Sequence, residues 1–232
     1  GRLSAQSIPS MAEAGVLSNG LYISVGDLSV AGAGEVYAVG AYGAYVSGGG
    51  ISLDSGKLTA ESTVAADAYG NLGKAVDVEI SSGVVTTNAG NITVNGGTLE
   101  TVNGDIYMAT YGADDTQGVF TVTAGSIVNR GELNGAKKMN ISGGTVQTQG
   151  IEANELTLSG ASVTIREPVR KSSYNGELFA RPAIDVSKLT VNSGTLDAAW
   201  DWGEYTPEVF TINEEYKDTG MLVRMPYEFN AA

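Results

Sequence analysis

Residues 92–99 read Ile-Thr-Val-Asn-Gly-Gly-Thr-Leu, and this eight-residue phrase recurs in variant form along most of the chain. The phrase runs apolar, polar, apolar, any residue, small, glycine, any residue, apolar. Its copies begin at Leu21, Ile51, Val78, Ile92, Phe120, Met139, Leu156 and Leu189. Repetition of one short unit is typical of proteins whose repeats stack on one another. The repeat therefore predicts the architecture before any single residue is considered.

Alternation of apolar and polar residues within each copy predicts a short β-strand. In the copy that begins at Leu189, the apolar residues Leu189 and Val191 flank the polar Thr190. Successive side chains of a strand point to opposite faces, so this alternation predicts one buried face and one exposed face. Glycines such as Gly96 and Gly97 follow the strand, because glycine adopts the left-handed backbone conformations that sharp turns need.

A further strand signal often precedes the phrase, as at residues 106–108 (Ile-Tyr-Met) and 151–153 (Ile-Glu-Ala). The outer two side chains are predicted to point inward and the middle one outward. Strands this short are unstable alone, but they can pair in parallel with the turns above and below and bury a continuous aliphatic core. The sequence therefore predicts an all-β fold, a single-stranded parallel β-helix or solenoid. Variable repeat length and the lack of strict hexapeptide repeats favour a right-handed coil, the usual hand of parallel crossovers.

The copies are unevenly spaced along the chain. The step from the corner Gly83 to the corner Gly97 is too short for a comfortable three-sided turn, so either that turn is flattened or the alignment slips there. Both ends are predicted to carry capping segments, because an open end exposes unpaired strand edges. Residues 1–20 form the predicted N-terminal cap, with a short helix at 10–16. Residues 21–207 form the parallel β-helix, and residues 208–232 the C-terminal cap.

The composition excludes several classes of function. The 232 residues include no Cys and no His, which excludes disulfides, thiolate metal sites and Ser-His-Asp or Cys-His catalysis.

The chain carries 13 basic and 26 acidic residues, a formal net charge of -13 at pH 7. This charge disfavours binding to nucleic acids and anionic membranes. Two interpretations of the negative charge remain: it binds hard cations such as calcium, or it only keeps a strand-rich protein soluble. No apolar run is long enough to insert into a membrane.

The phrase at residues 92–99, with its partial copy at 141–146, resembles the repeats of secreted and surface-anchored bacterial β-helix proteins. Some of these are adhesin-like, and others are similar to calcium-dependent carbohydrate-binding β-helix domains. The resemblance extends from Leu21 to Asp197 and concerns core and corner positions, so it implies the fold. The carbohydrate-binding members often carry Asp-Asp-Gly-Ile near the corners, whereas residues 112–115 here are Gly-Ala-Asp-Asp. Pectate lyases and related polysaccharide enzymes share the same fold.

Two adjacent carboxylates, Asp114 and Asp115, form the candidate metal site. With the nearby Thr and Gln oxygens they suit calcium, which takes six to eight oxygen ligands. Calcium is the one cofactor that the sequence suggests. The alternative interpretation is a solvated acidic loop without a bound ion.

Aromatic residues supply candidate carbohydrate-binding positions. Trp200, Trp202 and Tyr205 lie close together with two acids, and flat aromatic faces stack on sugar rings while carboxylates accept hydrogen bonds from hydroxyls. The alternative is that these rings plug the last turn or pack against a neighbouring domain. Outward tyrosines, if aligned on successive turns, would form an exposed aromatic strip, and otherwise they lie flat under loops. This strip would comprise Tyr22, Tyr37, Tyr42, Tyr45, Tyr107 and Tyr111, with Tyr107 as its candidate binding residue.

The longest insertion, residues 166–182, holds the basic cluster of this acidic chain. Arg170 is its candidate carbohydrate-binding residue, because a guanidinium binds a carboxylate through two parallel hydrogen bonds and therefore suits uronic-acid sugars. The alternative is a surface loop whose charges pair with nearby acids.

Three functions fit these features. The first is a non-catalytic, monomeric module, extracellular or on the cell surface, that binds a polysaccharide or a host-cell glycan or acts as an adhesin, with any signal segment outside this sequence. The second is a structural stalk of a larger surface protein. The third is a calcium-dependent polysaccharide lyase, in which Arg130, Lys137 or Lys138 would act as the base opposite an Asp cluster.

Overall fold

The computed structural model describes residues 1–6, 18–67, 72–80, 86–109, 118–165, 171–174, 177–180, 184–198, 209–212 and 222–224. Within these residues every regular element is a β-strand. Nineteen strands form one nearly closed sheet in which the pairings are parallel. Two further strands, β17 (Lys171–Tyr174) and β18 (Glu177–Ala180), form an antiparallel hairpin. No helix in this part of the chain is long and apolar enough to cross a membrane.

The parallel strands stack in three columns, here called A, B and C. Column A contains β2 (Asn19–Ile23), β5 (Tyr42–Ser47), β8 (Lys74–Glu79) and β11 (Asp105–Ala109). Column B contains β3 (Leu28–Val30), β6 (Ile51–Leu53), β9 (Ile92–Val94), β12 (Val119–Val122) and β20 (Val209–Ile212). Column C contains β1 (Arg2–Gln6), β4 (Glu35–Gly40), β7 (Lys57–Ser62), β10 (Thr98–Val102), β13 (Ser126–Val128), β15 (Thr145–Thr148) and β21 (Leu222–Arg224).

Three long strands belong to more than one column. β14 (Glu132–Ile141) runs through columns A and B, while β16 (Gly150–Ile165) and β19 (Ile184–Ala198) run through all three. The chain visits the columns in the order A, B, C and then returns to A, as β2, β3 and β4 are followed by β5, β6 and β7. Successive stretches of sequence therefore cover the same three faces.

Six copies of the phrase lie in register in column B, where each first residue pairs with the first residue of the next copy. In this order they are Ile51, Ile92, Phe120, Met139, Leu156 and Leu189, and all six side chains are buried. The predicted equivalence of these copies is confirmed.

The copies at Leu21 and Val78 do not belong to this series, so their predicted equivalence is wrong. Leu21 pairs with Ala44 in column A, and Val78 pairs with Val46 in the same column. The residue that pairs with Ile51 is Leu28 instead. The short step from Gly83 to Gly97 therefore reflects a slip of alignment, because the copy at Val78 lies in column A and the copy at Ile92 in column B. Strands in all three columns alternate with the same period, so periodicity alone does not tell one column from another.

The predicted inward and outward positions are confirmed where the structure describes them. Ile106 and Met108 are buried and Tyr107 between them is partly exposed, and Ile151 and Ile184 are buried at equivalent positions of the next turns. The buried apolar side chains of all three columns form one hydrophobic cluster that runs along the stack. The core therefore consists of the inward positions of every column.

Glycines form the corner between columns B and C, as predicted. Gly97 and Gly125 both have positive φ, +72° and +87°, which disfavours any residue with a side chain. The carbonyl of Gly97 accepts a hydrogen bond from the Ser126 amide at 2.9 Å, and that of Gly125 accepts one from Thr145 at 3.0 Å. Each corner thus supports the strand of the next turn. The predicted corner at Gly83 lies outside the described residues.

Parts of both predicted caps are strands of the columns. Arg2–Gln6 pairs in parallel with residues 35–39 in column C, while β20 and β21 pair with β19. The short helix predicted at residues 10–16 lies outside the described residues, and the domain boundaries at 20/21 and 207/208 stay predictions.

Candidate functional site: the tyrosine face of column A

Of the candidate carbohydrate-binding and calcium-binding residues Tyr107, Trp200, Trp202, Tyr205, Arg170, Asp114 and Asp115, the structure describes Tyr107. Trp200, Trp202, Tyr205 and Arg170 lie outside the described residues, and so do the proposed calcium ligands Asp114 and Asp115. Within the described part of the chain, no group of three or more acidic side chains is arranged to hold a metal ion. The site that can be built from the structure is therefore the outer face of column A around Tyr107.

Parallel pairing places four outward side chains of column A side by side. Tyr22 pairs with Tyr45, Tyr45 with Asp77, and Asp77 with Tyr107. Adjacent strands of a sheet lie roughly 5 Å apart, so side chains at paired positions contact one another. The register therefore creates one continuous row of three tyrosines interrupted by a carboxylate. We call this row, together with Tyr42, Lys74 and Glu79, the tyrosine face.

The end of the tyrosine face that contains Tyr22 is aromatic. The rings of Tyr22 and Tyr45 stack with their centroids 5.1 Å apart, and Tyr42 lies 5.6 Å from Tyr45 in a tilted arrangement. Tyr22 is the exposed member, with 53% of its surface accessible. Offset aromatic pairs of this kind hold each other in place. The face thus offers a fixed aromatic surface with one ring open to solvent.

Lys74 joins the two ends of the face. Its Nζ lies 3.0 Å from Asp77 Oδ2, 3.8 Å from Glu79 Oε1 and 3.7 Å from the centroid of the Tyr107 ring. An ammonium group over a tyrosine ring is attracted by the electrons of that ring. Burial lowers the pKa of Lys74, but the charge and hydrogen bond of Asp77, together with Tyr107 and Tyr42, outweigh this effect, so the pKa lies above its usual value and the lysine is charged. One face of Tyr107 is therefore covered by a cation.

Glu79 orients the central tyrosine. The Tyr45 hydroxyl donates a hydrogen bond to Glu79 Oε2 at 2.8 Å. Burial, and then this hydrogen bond, raise the pKa of Tyr45 far above its usual value. Tyr45 therefore stays neutral, while the carboxylate of Glu79 is held beside it and keeps capacity to accept further hydrogen bonds.

Asp77 is an outward residue that its neighbours bury. Only 1% of its surface is exposed, and its Oδ1 has no hydrogen-bond partner in the described structure. Burial raises the pKa of Asp77 to about 6, because the pairing with Lys74 offsets only part of the cost of burying the charge. The centre of the face thus holds a carboxyl group that titrates close to neutral pH.

Replacing Asp77 with Asn should change how stability depends on pH. Because the pKa of Asp77 is above its unfolded value of 3.8, the folded chain binds the proton more tightly and folding takes up a proton between about pH 4 and 6. This contribution to stability is present at low pH and is lost as the pH rises through 6. We expect the wild type to gain about 2 kcal/mol relative to Asp77→Asn between pH 7 and 4.5, measured by urea unfolding. A stability difference between the two proteins that is the same at both pH values would contradict this assignment.

Not all the predicted tyrosines share this face. Tyr37 lies in β4 of column C, where its hydroxyl donates a hydrogen bond to Glu61 Oε2 at 2.9 Å. Tyr111 lies outside the described residues. Among the described tyrosines, the strip is therefore corrected to Tyr22, Tyr42, Tyr45 and Tyr107, and the membership of Tyr111 stays a prediction.

The charged members of the face were missed from the sequence. In β8, Asp77 and Glu79 alternate with buried valines, which is a signal for outward acids. Lys74 is out of phase with them, because the pairing of β8 with β11 shifts between Lys74 and Val76. A shift of this kind is an irregularity of the strand that the alternating pattern does not reveal.

No protein-family model, curated protein or solved structure matches this chain. The resemblance to bacterial β-helix proteins therefore stays a prediction based on the repeat, and any function must be argued from the site itself.

Proposed function

We propose that this chain is a right-handed parallel β-helix that binds carbohydrate without catalysis through its tyrosine face. The coil is supported by the order of the strands, since the chain returns to columns A, B and C in turn and β16 and β19 pass through all three without a break. A secreted or cell-surface location and an adhesin-like role belong to the same proposal.

The observation that carries the binding function is the open ring of Tyr22 stacked on Tyr45. A sugar has an apolar face of C–H groups and an edge of hydroxyls, so it suits an aromatic surface bordered by polar groups. Tyr22 supplies the exposed ring, and the carboxylate of Glu79 is held 2.8 Å from the Tyr45 hydroxyl. Lys74 adds hydrogen-bond donors next to these acceptors.

Rigidity further supports this role. Tyr42 lies between Tyr45 and Lys74: its ring centroid is 5.6 Å from that of Tyr45 and 5.8 Å from the Lys74 Nζ. Side chains held in this way lose little conformational entropy when a ligand binds, which favours affinity. The face is thus organised before the sugar arrives.

Replacing Tyr22 with alanine tests the proposal. On arrays of plant, host and bacterial glycans, we expect the wild type to bind, and Tyr22→Ala to bind about 3- to 10-fold more weakly, the loss of one aromatic contact. Tyr37→Ala is the matched control, because it removes a tyrosine from column C and leaves column A intact. Its affinity should equal that of the wild type.

Other results would select a different function. Absence of binding to every glycan, with the fold intact by circular dichroism, would favour the stalk. Release of unsaturated products that absorb ultraviolet light from pectin or alginate would favour the lyase. An equal loss of affinity in Tyr22→Ala and Tyr37→Ala would remove the tyrosine face from the proposal.

A further inference from the structure

A second candidate site lies at the corner where column C ends and column A begins. It is a groove of about 580 Å³, a volume within the range of small-ligand sites. Its lining includes Asn129, Arg130, Gln147, Thr148 and Gln149. Asn129 and Arg130 follow β13, whereas Gln147 and Thr148 end β15 and Gln149 follows it. These two strands belong to column C in successive turns. Thr164 of β16, which pairs with Gln147, also lines the groove, so the groove runs across three turns of the stack.

The floor of the groove is a buried hydrogen-bond network. Thr101 Oγ1 donates to Asn129 Oδ1 at 2.6 Å, and Asn129 Nδ2 donates to Thr148 Oγ1 at 3.0 Å. Asn129 Nδ2 also donates to the Gly131 carbonyl at 2.8 Å. Thr101, Asn129 and Thr148 are each less than 5% exposed. A satisfied buried network of this kind makes the local structure rigid.

The network positions the backbone of Arg130. The Arg130 amide donates a hydrogen bond to Thr101 Oγ1 at 3.0 Å, which fixes the backbone of Arg130. The side chain of Arg130 is exposed. The groove is thus lined by an arginine whose backbone is held in place by the buried network.

The charge of the groove differs from that of the whole protein. The chain has a net charge of -13, yet the residues that line the groove include one arginine and no acid. No carboxylate among the described residues forms an ion pair with Arg130, whereas Lys57, Lys74 and Lys138 each have at least one such partner. As far as the described residues extend, the guanidinium of Arg130 has its side-chain donors available to a ligand.

The remaining lining groups suit hydroxyls. Gln147 and Gln149 supply amide donors and acceptors, and Thr164 supplies a hydroxyl. The Oε1 of Gln149 is buried without a hydrogen-bond partner. An unsatisfied buried acceptor is unfavourable, and a ligand hydroxyl would satisfy it once the Gln149 amide turns toward the groove.

We infer that this groove binds a saccharide unit that carries a carboxylate, with Arg130 bound to the carboxylate and the amides of Gln147 and Gln149 bound to the hydroxyls. A guanidinium matches a carboxylate through two parallel N–H donors, which a neutral sugar cannot use. The site is separate from the tyrosine face, and it does not depend on the function proposed for that face.

A titration with trigalacturonic acid and with its methyl ester tests this inference. The two ligands share their shape and most hydroxyls, but the ester lacks the negative charges. By calorimetry we expect the acid to bind the wild type. We expect the ester to bind the wild type about 10- to 100-fold more weakly, and the acid to bind Arg130→Gln more weakly by the same factor. Arg2→Gln is the matched control, because it removes the same charge at the far end of column C, and it should leave the affinity unchanged.

Two further measurements separate this site from the alternatives. Circular dichroism and thermal unfolding of Arg130→Gln should match the wild type, since the side chain is exposed. The ratio of acid affinities between the wild type and Arg130→Gln should be the same whether residue 22 is tyrosine or alanine, which separates the groove from any binding at the tyrosine face. Equal binding of acid and ester, equal loss in Arg2→Gln and Arg130→Gln, or no binding of the acid at millimolar concentration would each overturn the inference.

Discussion

Phe120→Ala is expected to lower the free energy of unfolding by about 3–5 kcal/mol, the range measured when a large buried aromatic side chain is removed from a core. Phe120 has none of its surface exposed and is among the largest fully buried side chains. It lies in column B between Ile92 and Met139, the paired residues of the turns on either side. Its removal leaves a cavity in the middle of the stack that neighbouring turns cannot close without breaking their own register.

Thr121→Ala is the control for this substitution. Thr121 is the next residue of the same strand, but its side chain points to the opposite face and is partly exposed. We expect a change within about 0.5 kcal/mol in urea unfolding followed by far-ultraviolet circular dichroism. Similar losses for the two variants would mean that the inward and outward faces of β12 have been assigned the wrong way round.

Gly125→Ala should also be strongly destabilising, by about 2–4 kcal/mol, because backbone strain and steric overlap each cost about 1–3 kcal/mol. A Cβ at Gly125 would lie 2.6 Å from the Gly97 carbonyl oxygen, and the φ of +87° disfavours an alanine in any case. The Gly97 oxygen accepts a hydrogen bond from the Ser126 amide, so it cannot move away without loss of this hydrogen bond between turns. The cost therefore combines backbone strain with the displacement of a rigid neighbour.

Gly32→Ala separates these two causes. Gly32 also has a positive φ, +62°, but nothing lies within 4 Å of a Cβ placed there. We expect it to lose about 1–2 kcal/mol, the cost of the left-handed conformation alone. If both variants lost the same amount in urea unfolding, the close approach of successive corners would contribute nothing.

The local pattern predicted much of the fold. At residues 106–108 and in the copy that begins at Ile92, a period of two identified the strands and the side chains that face the core. Glycine identified the corner at Gly97. The assignment of Leu21 and Val78 to the same series failed, because strands of columns A and B carry the same alternation and only their partners distinguish them.

The tyrosine face was predicted only in part. The outward position of Tyr107 followed from its apolar neighbours, but the ammonium of Lys74 over its ring did not. Tyr45 and Glu79 are 34 residues apart, and the loops between them vary in length from turn to turn. Their contact depends on which strands pair and in which register, and no local pattern carries that information.

The sequence by itself determined that the chain forms short strands, which side of each strand is buried and where glycine must turn the backbone. These properties depend on residues within a few positions of each other, and the geometry of a strand converts them directly into structure. Only the tertiary structure decided that Tyr22, Tyr45, Asp77 and Tyr107 form one row, and that Arg130 stands on a buried network beside a groove. Parallel pairing joins residues from different turns, so a site on this surface exists only once the turns have stacked in a single register.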